Sequence, residues 1–160
     1  MGNCKKVLDV CCGGRMMWFD KTHKNVVFGD VAVKPEGCIE QQRYFKVIPD
    51  VLLDFRNLPF IDNSFDLVAF DPPHIIDCKE TSIMWNKYGS LDPGTFRFDL
   101  LCGFNECWRV LRDSGTLVFK WAESRLSTKD VLDIFPVEPM FGHTTGRSGT
   151  TKWFCFMKVA

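Results

Sequence analysis

The sequence predicts a single α/β domain built on a mostly parallel sheet, and three observations predict it. The chain has 160 residues, with no repeat and no Pro- or Ser-rich linker to divide it, which makes one domain spanning residues 1–160. Short apolar runs alternate with helix-like segments, the pattern of β–α–β units. The first four runs each end in or beside an acid, Asp9, Asp30, Asp54 and Asp71, and the strand ends of open α/β sheets are where ligands bind.

The elements follow in chain order. Apolar runs at residues 6–10, 26–29, 51–53, 67–70 and 116–120 read as strands. Phe98, Leu101, Phe104, Trp108 and Leu111 recur at spacings of three and four, so residues 97–112 read as an amphipathic helix, with Asp113-Ser114-Gly115 as its stop. Ser127-Thr128-Lys129-Asp130 has the form of a capping box opening a short helix, which Pro136 closes. Residues 16–21 and 39–47 carry weaker helical patterns. At the end of the chain, residues 140–144 and 153–158 flank Gly146-Arg147-Ser148-Gly149, which predicts a β-hairpin.

Composition excludes several classes. Hydrophobic residues make up 46% and charged residues 25%, so disorder and collagen are poor descriptions. No apolar run approaches the ~20 residues of a membrane helix. The first residues contain no apolar core of a secretory signal, so a cytoplasmic protein is expected. Twenty basic and twenty acidic residues balance, which argues against a strongly basic nucleic-acid clamp but not against a local patch. The eight cysteines form no C-x-x-C pair, and Cys11 and Cys12 are adjacent. They are expected to be reduced thiols that bind no metal.

The acidic strand ends carry the functional signal. In Val7-Leu8-Asp9-Val10-Cys11-Cys12-Gly13-Gly14 a strand runs into small residues that let a ligand approach the backbone. The dinucleotide pattern G-x-G-x-x-G is absent, because Cys11 holds its first glycine slot. A carboxylate at Asp9 suits an ammonium better than a pyrophosphate. The bland alternative is an ordinary tight turn. Asp30, about twenty residues on, suits ribose hydroxyls or else caps a helix or faces solvent. Asp54 suits an adenine amino group with Phe55 as a stacking surface, or is a plain surface acid. In Asp71-Pro72-Pro73-His74 two prolines fix an extended turn after a buried strand. Asp71 then offers carboxylate oxygens and Pro72 a carbonyl, an acceptor pair for one NH2 group, while His74 offers a flat ring. The alternative is a rigid loop terminator.

Taken together these residues resemble class I S-adenosylmethionine-dependent methyltransferases, in the amino-methyltransferase branch that carries a DPPY-like motif, here DPPH. Asp9-Val10-Cys11-Cys12-Gly13-Gly14 is similar to that family's D-x-G-x-G loop. Residues 58–68, Leu-Pro-Phe-Ile-Asp-Asn-Ser-Phe-Asp-Leu-Val, are similar to its run into the fourth strand, and residues 107–117 to its passage from fifth helix to fifth strand. Phe141-Gly142-His143-Thr144-Thr145-Gly146 resembles a segment of small phage and prophage methyltransferases. The resemblance covers nearly the whole chain. It departs at Cys11, at Arg15, at His74 in place of Tyr, Phe or Trp, and in lacking a leading helix and a target-recognition domain.

The resemblance implies a Rossmann-like fold, with a mostly parallel seven-stranded sheet ending in an antiparallel hairpin. It implies S-adenosyl-L-methionine as cofactor, held by Asp9, Cys11, Gly13, Asp30, Asp54, Phe55 and Asp71. It implies methyl transfer to a nitrogen, foremost the exocyclic amine of a base in DNA or RNA, with Asp71, Pro72, Pro73 and His74 as the catalytic segment. A base inside a duplex would have to be flipped out. A small-molecule N-methyltransferase and a non-catalytic cofactor-binding protein are the alternatives. Residues 75–96, with Trp85, Lys87 and Tyr88, form a long connection that reads as a lid or a surface excursion. Lys120, Trp121, His143 and Arg147 are candidates for contacts to phosphate or base, against core packing or solvated charge.

Overall fold

The computed structural model describes residues 6–40, 43–77, 79, 82, 85, 89–143 and 151–159, with backbone only for 37–40 and 43–45. Its strands are β1 (Val7–Asp9), β2 (Val26–Asp30), β3 (Lys34–Glu40), β4 (Arg43–Val47), β5 (Val51–Leu52), β6 (Phe65–Phe70), β7 (Leu111–Ala122), β8 (Phe141–Gly142) and β9 (Thr151–Met157). The described helices are α1 (Phe96–Val110) and α2 (Thr128–Leu132).

Seven strands form one sheet in the order β5-β2-β1-β6-β7-β9-β8. The pairings from β5 across to β7 are parallel. β9 then runs antiparallel to β7, from Thr116↔Met157 to Ala122↔Thr151, and β8 antiparallel to β9. The architecture is therefore mixed α/β with a mostly parallel seven-stranded sheet and a reversed last strand. The strand order turns back on itself at β1, so the ends of β1, β2 and β6 lie side by side at the point where ligands bind in such sheets.

The central strands form because their apolar runs are buried on both faces. On one face Leu8, Val27, Val68, Phe70, Leu117, Phe119, Phe154 and Phe156 meet Leu100, Phe104 and Cys107 of α1 and Phe135 after α2. Phe104 is the hub. Its ring stacks on Phe135 at 4.4 Å and meets Phe156 edge-on at 5.1 Å. Each such buried side chain contributes roughly 1.5–3 kcal/mol. On the other face Cys12, Val26 and Phe28 pack with Val7 and Trp18.

Several expectations are corrected. The buried stripe of α1 is Leu100, Phe104, Cys107 and Val110, whereas Phe98 is 68% exposed. Asp113-Ser114-Gly115 does not terminate α1. The helix stops at Val110 with Leu111 already extended, and the turn residues lie inside β7, where the register to β6 shifts between Phe65 and Leu67. Ser114 takes φ 65° there. The described residues of the 39–47 stretch, 39–40 and 43–47, are not helical. They belong to the antiparallel pair β3–β4, with Ile39↔Tyr44 and Glu40↔Arg43 in register, because Ile39, Tyr44, Phe45 and Val47 are strand formers. Residues 16–21 make turns, since Arg15 at φ 55° breaks the helical path. Ser127 caps α2 at its N-terminus, its Oγ accepting the Asp130 N–H at 3.1 Å. α2 ends at Leu132, before Pro136.

Among the described residues no helix is long and apolar enough to cross a membrane. Cys11, Cys12, Cys102, Cys107 and Cys155 are free thiols. Cys4 and Cys78 lie outside the described residues, as does the side chain of Cys38.

Candidate active site at the strand ends

Three of the four acidic strand ends share one electrostatic neighbourhood. Asp9 is fully buried at the end of β1. Its Oδ1 accepts the Cys11 N–H at 3.2 Å and its Oδ2 the Trp18 indole N–H at 2.7 Å. Burial pushes its carboxyl up to about 7, helped by the charges of Asp71 and Asp30 and opposed by the bonds from Trp18 and Cys11. Burial, and then the carboxylates of Asp30, Asp9 and Asp71, push the Cys11 thiol well above its ordinary range. An unreactive thiol therefore stands in the glycine slot.

Asp30 ties the loop after β1 to the end of β2. Its Oδ2 accepts the Gly13 N–H at 2.8 Å and its Oδ1 the Ala32 N–H at 2.8 Å. Gly13 sits at φ +47°, and an added Cβ would meet no atom within 4 Å. The backbone is thus left-handed and faces open space, an arrangement glycine permits without strain. A surface cleft of about 510 Å³ opens beside this loop, lined by Gly13, Gly14, Arg15 and Lys46 among others. Asp71 and His74 are not among its lining residues.

Arg15 is anchored. Its guanidinium donates to the Lys21 and Ile48 carbonyls at 2.5 and 2.7 Å, reaches Asp50 at 3.1 Å and lies 3.9 Å above the Phe28 ring. In place of a glycine it staples the loop to the strand ends beyond.

The fourth acid is elsewhere engaged. Asp54 holds Arg56 through Nε at 3.0 Å and Nη2 at 2.6 Å, and Arg56 continues to Asp99 of α1 at 3.1 Å. The bonds from Arg56 hold the Asp54 carboxyl below the usual range. Phe55 packs edge-on against Phe70 at 5.4 Å, over the bare backbone of Gly103. A neighbouring cation thus engages the Asp54 side chain, and a helix glycine makes room for the Phe55 ring.

Asp71 follows β6 directly, with Pro72 buried behind it. Its Oδ2 accepts from Lys120 Nζ of β7 at 2.5 Å. Burial raises the Asp71 carboxyl, while Lys120 and His74 oppose the rise. Burial lowers the His74 imidazole, which Asp71 counters. His74 lies edge-on to Trp121 with ring centroids 6.4 Å apart, and its carbonyl accepts from Ser124 at 2.8 Å.

Of the other candidates, Trp121 is a core residue at 0% exposure, its indole donating to the Leu126 carbonyl. His143 accepts the Trp153 N–H through Nδ1 at 3.0 Å within the hairpin. Arg147, Lys87 and Tyr88 lie outside the described residues. Within the 75–96 connection, Ile76 bridges to Leu91, and Trp85 lies 5.9 Å from Lys34 Nζ of β3. The connection therefore reaches from β6 to the small hairpin. Among the described residues no group of three or more His, Cys, Asp and Glu is placed to hold a metal.

Sequence reasoning missed Trp18 as the lid on Asp9 and Lys120 as the partner of Asp71. A signal existed for the second. Leu117, Phe119 and Trp121 alternate as inward residues, so Lys120 must face the opposite side, the side of Asp9 and Ala69.

No family model matches the chain, and no curated protein matches it in sequence. Solved structures do match its fold. The PH0226 protein from Pyrococcus horikoshii OT3 is similar with a TM-score of 0.60 at 15% identity, over 96% of this chain and 81% of that one. Similarity at that identity speaks for the fold alone.

Proposed function

We propose that the protein is an S-adenosylmethionine-dependent methyltransferase acting on a nitrogen, foremost an exocyclic amine of a nucleobase. The observation that carries this reading is the convergence of Asp9, Asp30 and Asp71 at adjoining strand ends, with Asp71 opening Asp-Pro-Pro-His. A mostly parallel seven-stranded sheet whose last strand runs reversed is the frame that the resemblance to class I methyltransferases implies, and it supports the reading.

The residues present fit the cationic end of the cofactor better than its adenine end. Gly13 offers open backbone, with no atom within 4 Å of where a Cβ would stand, and three carboxyls favour a cation over a pyrophosphate. Asp54 and Phe55 are engaged elsewhere, so adenine would be held by other groups. When bound, S-adenosylmethionine supplies a methyl group on a cationic sulfur. Asp30 would take the ribose hydroxyls with the lone pairs that Gly13 and Ala32 leave. Asp71 Oδ1 and the Pro72 carbonyl would accept the two N–H bonds of the acceptor and orient its lone pair. This is positioning and preorganised electrostatics, not strong base catalysis. His74 would lie against the acceptor's ring.

Isothermal calorimetry with S-adenosylmethionine, S-adenosylhomocysteine and NADH tests the cofactor. Binding of NADH alone overturns it. Transfer of labelled methyl to single-stranded DNA, single-stranded RNA, adenosine and a metabolite panel tests the acceptor. Label on metabolites alone favours the small-molecule reading, and cofactor binding without any transfer favours a binding protein.

A further inference from the structure

We infer that Lys120 is a positioning residue: from β7 it pins Oδ2 of Asp71 and so presents Oδ1, together with the Pro72 carbonyl, to the acceptor amine. The inference rests on the methyl-transfer reading and adds to it a residue that Asp-Pro-Pro-His does not contain.

The pair is set by the sheet itself. The parallel ladder of β6 and β7 runs Leu67↔Thr116, Val68↔Leu117, Ala69↔Val118 and Phe70↔Phe119. Asp71, just past the end of β6, and Lys120 of β7 come next along the two chains, and neighbouring strands lie about 4.8 Å apart. The ammonium is held from the other side as well, 5.6 Å from the Trp153 ring centroid on β9. Both side chains are about three-quarters covered, at 28% and 24% exposure. A surface ion pair between free side chains has no such constraint and is worth little.

The pinned oxygen is what matters chemically. A carboxylate free to rotate offers an amine two equivalent oxygens in many poses. With Oδ2 engaged by Lys120, one oxygen remains. Oδ1 has no hydrogen-bond partner among the described residues. Prolines 72 and 73 fix the backbone that carries the second acceptor. Lys120 thereby converts a flexible carboxylate into a directed one, and directed groups cost no reorganisation at the moment of reaction.

The titratable groups near Asp71 are Lys120 from β7, His74 from its own turn, and Asp9, Cys11 and Asp30 from β1, its loop and β2. Lys120 is the fixed cation of this group. Its removal leaves Asp71 among carboxyls, which favours the protonated form.

The test compares wild type, Lys120→Met and Lys120→Arg, each checked for cooperative thermal unfolding. Carbon-13 NMR follows the Asp71 carboxyl, assigned with Asp71→Asn. Turnover is followed with single-stranded DNA, single-stranded RNA and adenosine as acceptors. In Lys120→Met the Asp71 titration and the acid limb of the rate profile move together toward neutral pH. Its kcat falls by about 10–100-fold, while S-adenosylhomocysteine affinity stays within about threefold, under 1 kcal/mol. Lys120→Arg recovers much of the rate. If Asp71 titrates alike in wild type and Lys120→Met, the inference is overturned whatever the activity. If Asp71→Asn is inactive but Lys120→Met keeps the parental rate and profile, the inference falls and the methyl-transfer reading stands. If wild type methylates none of the probes, that reading falls and takes this role with it.

Discussion

Trp18 donates its indole N–H to Oδ2 of Asp9 at 2.7 Å, and Asp9 has no exposed surface. A carboxyl in that position is held by two donors and no cation. Its titration therefore follows burial, up to about 7. In an unfolded chain the same group titrates near 3.9. Between about pH 4 and pH 7 the folded state binds the extra proton, so stability is highest below the unfolded value and declines as pH rises through that window. Above it the curve flattens. Asp9→Asn removes this slope. It also turns an NH2 toward one of the two donors, the Cys11 N–H or the Trp18 indole, which costs about 1–3 kcal/mol. Urea unfolding at several pH values checks both effects. A variant whose stability keeps the parental pH slope would show that Asp9 is not the group responsible.

The same proton couples to ligand binding. A cationic ligand at the strand ends favours ionised Asp9, so binding expels a proton where Asp9 is still protonated. S-adenosylmethionine affinity then rises between about pH 6 and pH 8. Calorimetry in buffers of different ionisation enthalpy reads the proton directly. In Asp9→Asn the buffer dependence shrinks.

On the methyl-transfer reading Asp30 has two jobs that substitution separates. Asp30→Ala releases the Gly13 N–H held at 2.8 Å and weakens cofactor binding by about 1–3 kcal/mol. Asp30→Asn keeps an oxygen for Gly13 but loses the charge and turns its NH2 toward the Ala32 N–H. If the ribose contact is real, Asp30→Asn falls between wild type and Ala in calorimetric affinity. Equal affinity of all three proteins would place the cofactor away from β2.

Asp71→Ala is expected to leave the fold and most cofactor affinity in place while lowering methyl transfer by about two to three orders of magnitude. His74→Phe keeps a flat face and much of the rate. His74→Ala weakens the acceptor by about 1–3 kcal/mol if the ring stacks on a base. A folded but inactive His74→Phe would assign the imidazole a hydrogen-bonding or proton-transfer part instead.

The sheet was legible in the sequence because its central strands are short apolar runs buried on both faces, and such runs need no partner to be recognised. Residues 39–47 were not, because alternating and helical spacings coincide over so few residues. The ends of the strands were legible as positions but not as partnerships. Asp9, Asp30 and Asp71 come together because β1, β2 and β6 are neighbours. Asp54 ends β5's run in the same way, yet Arg56 two residues on reaches both it and Asp99. That triangle depends on where α1 lies, which no local pattern in residues 54–56 records.

Phe55 gives the sharpest test of that lesson. Its ring lies where a Cβ on Gly103 would stand, 2.5 Å from its Cδ2 and 2.7 Å from Phe70 Cζ. Gly103 is thus the gap in α1 that lets Phe55 enter the core. Gly103→Ala gains helix propensity of up to about 1 kcal/mol. It also overpacks the seam by about 1–3 kcal/mol, so net destabilisation is expected in thermal unfolding. Phe55→Leu, which shortens the ring side chain, relieves the Phe55 part of the clash and leaves that with Phe70, so the double variant loses less than the sum of the singles. Cofactor affinity should change little in any of them. A large loss of S-adenosylhomocysteine binding in Phe55→Leu, with stability unchanged, would return Phe55 to the adenine site that its place after Asp54 first suggested.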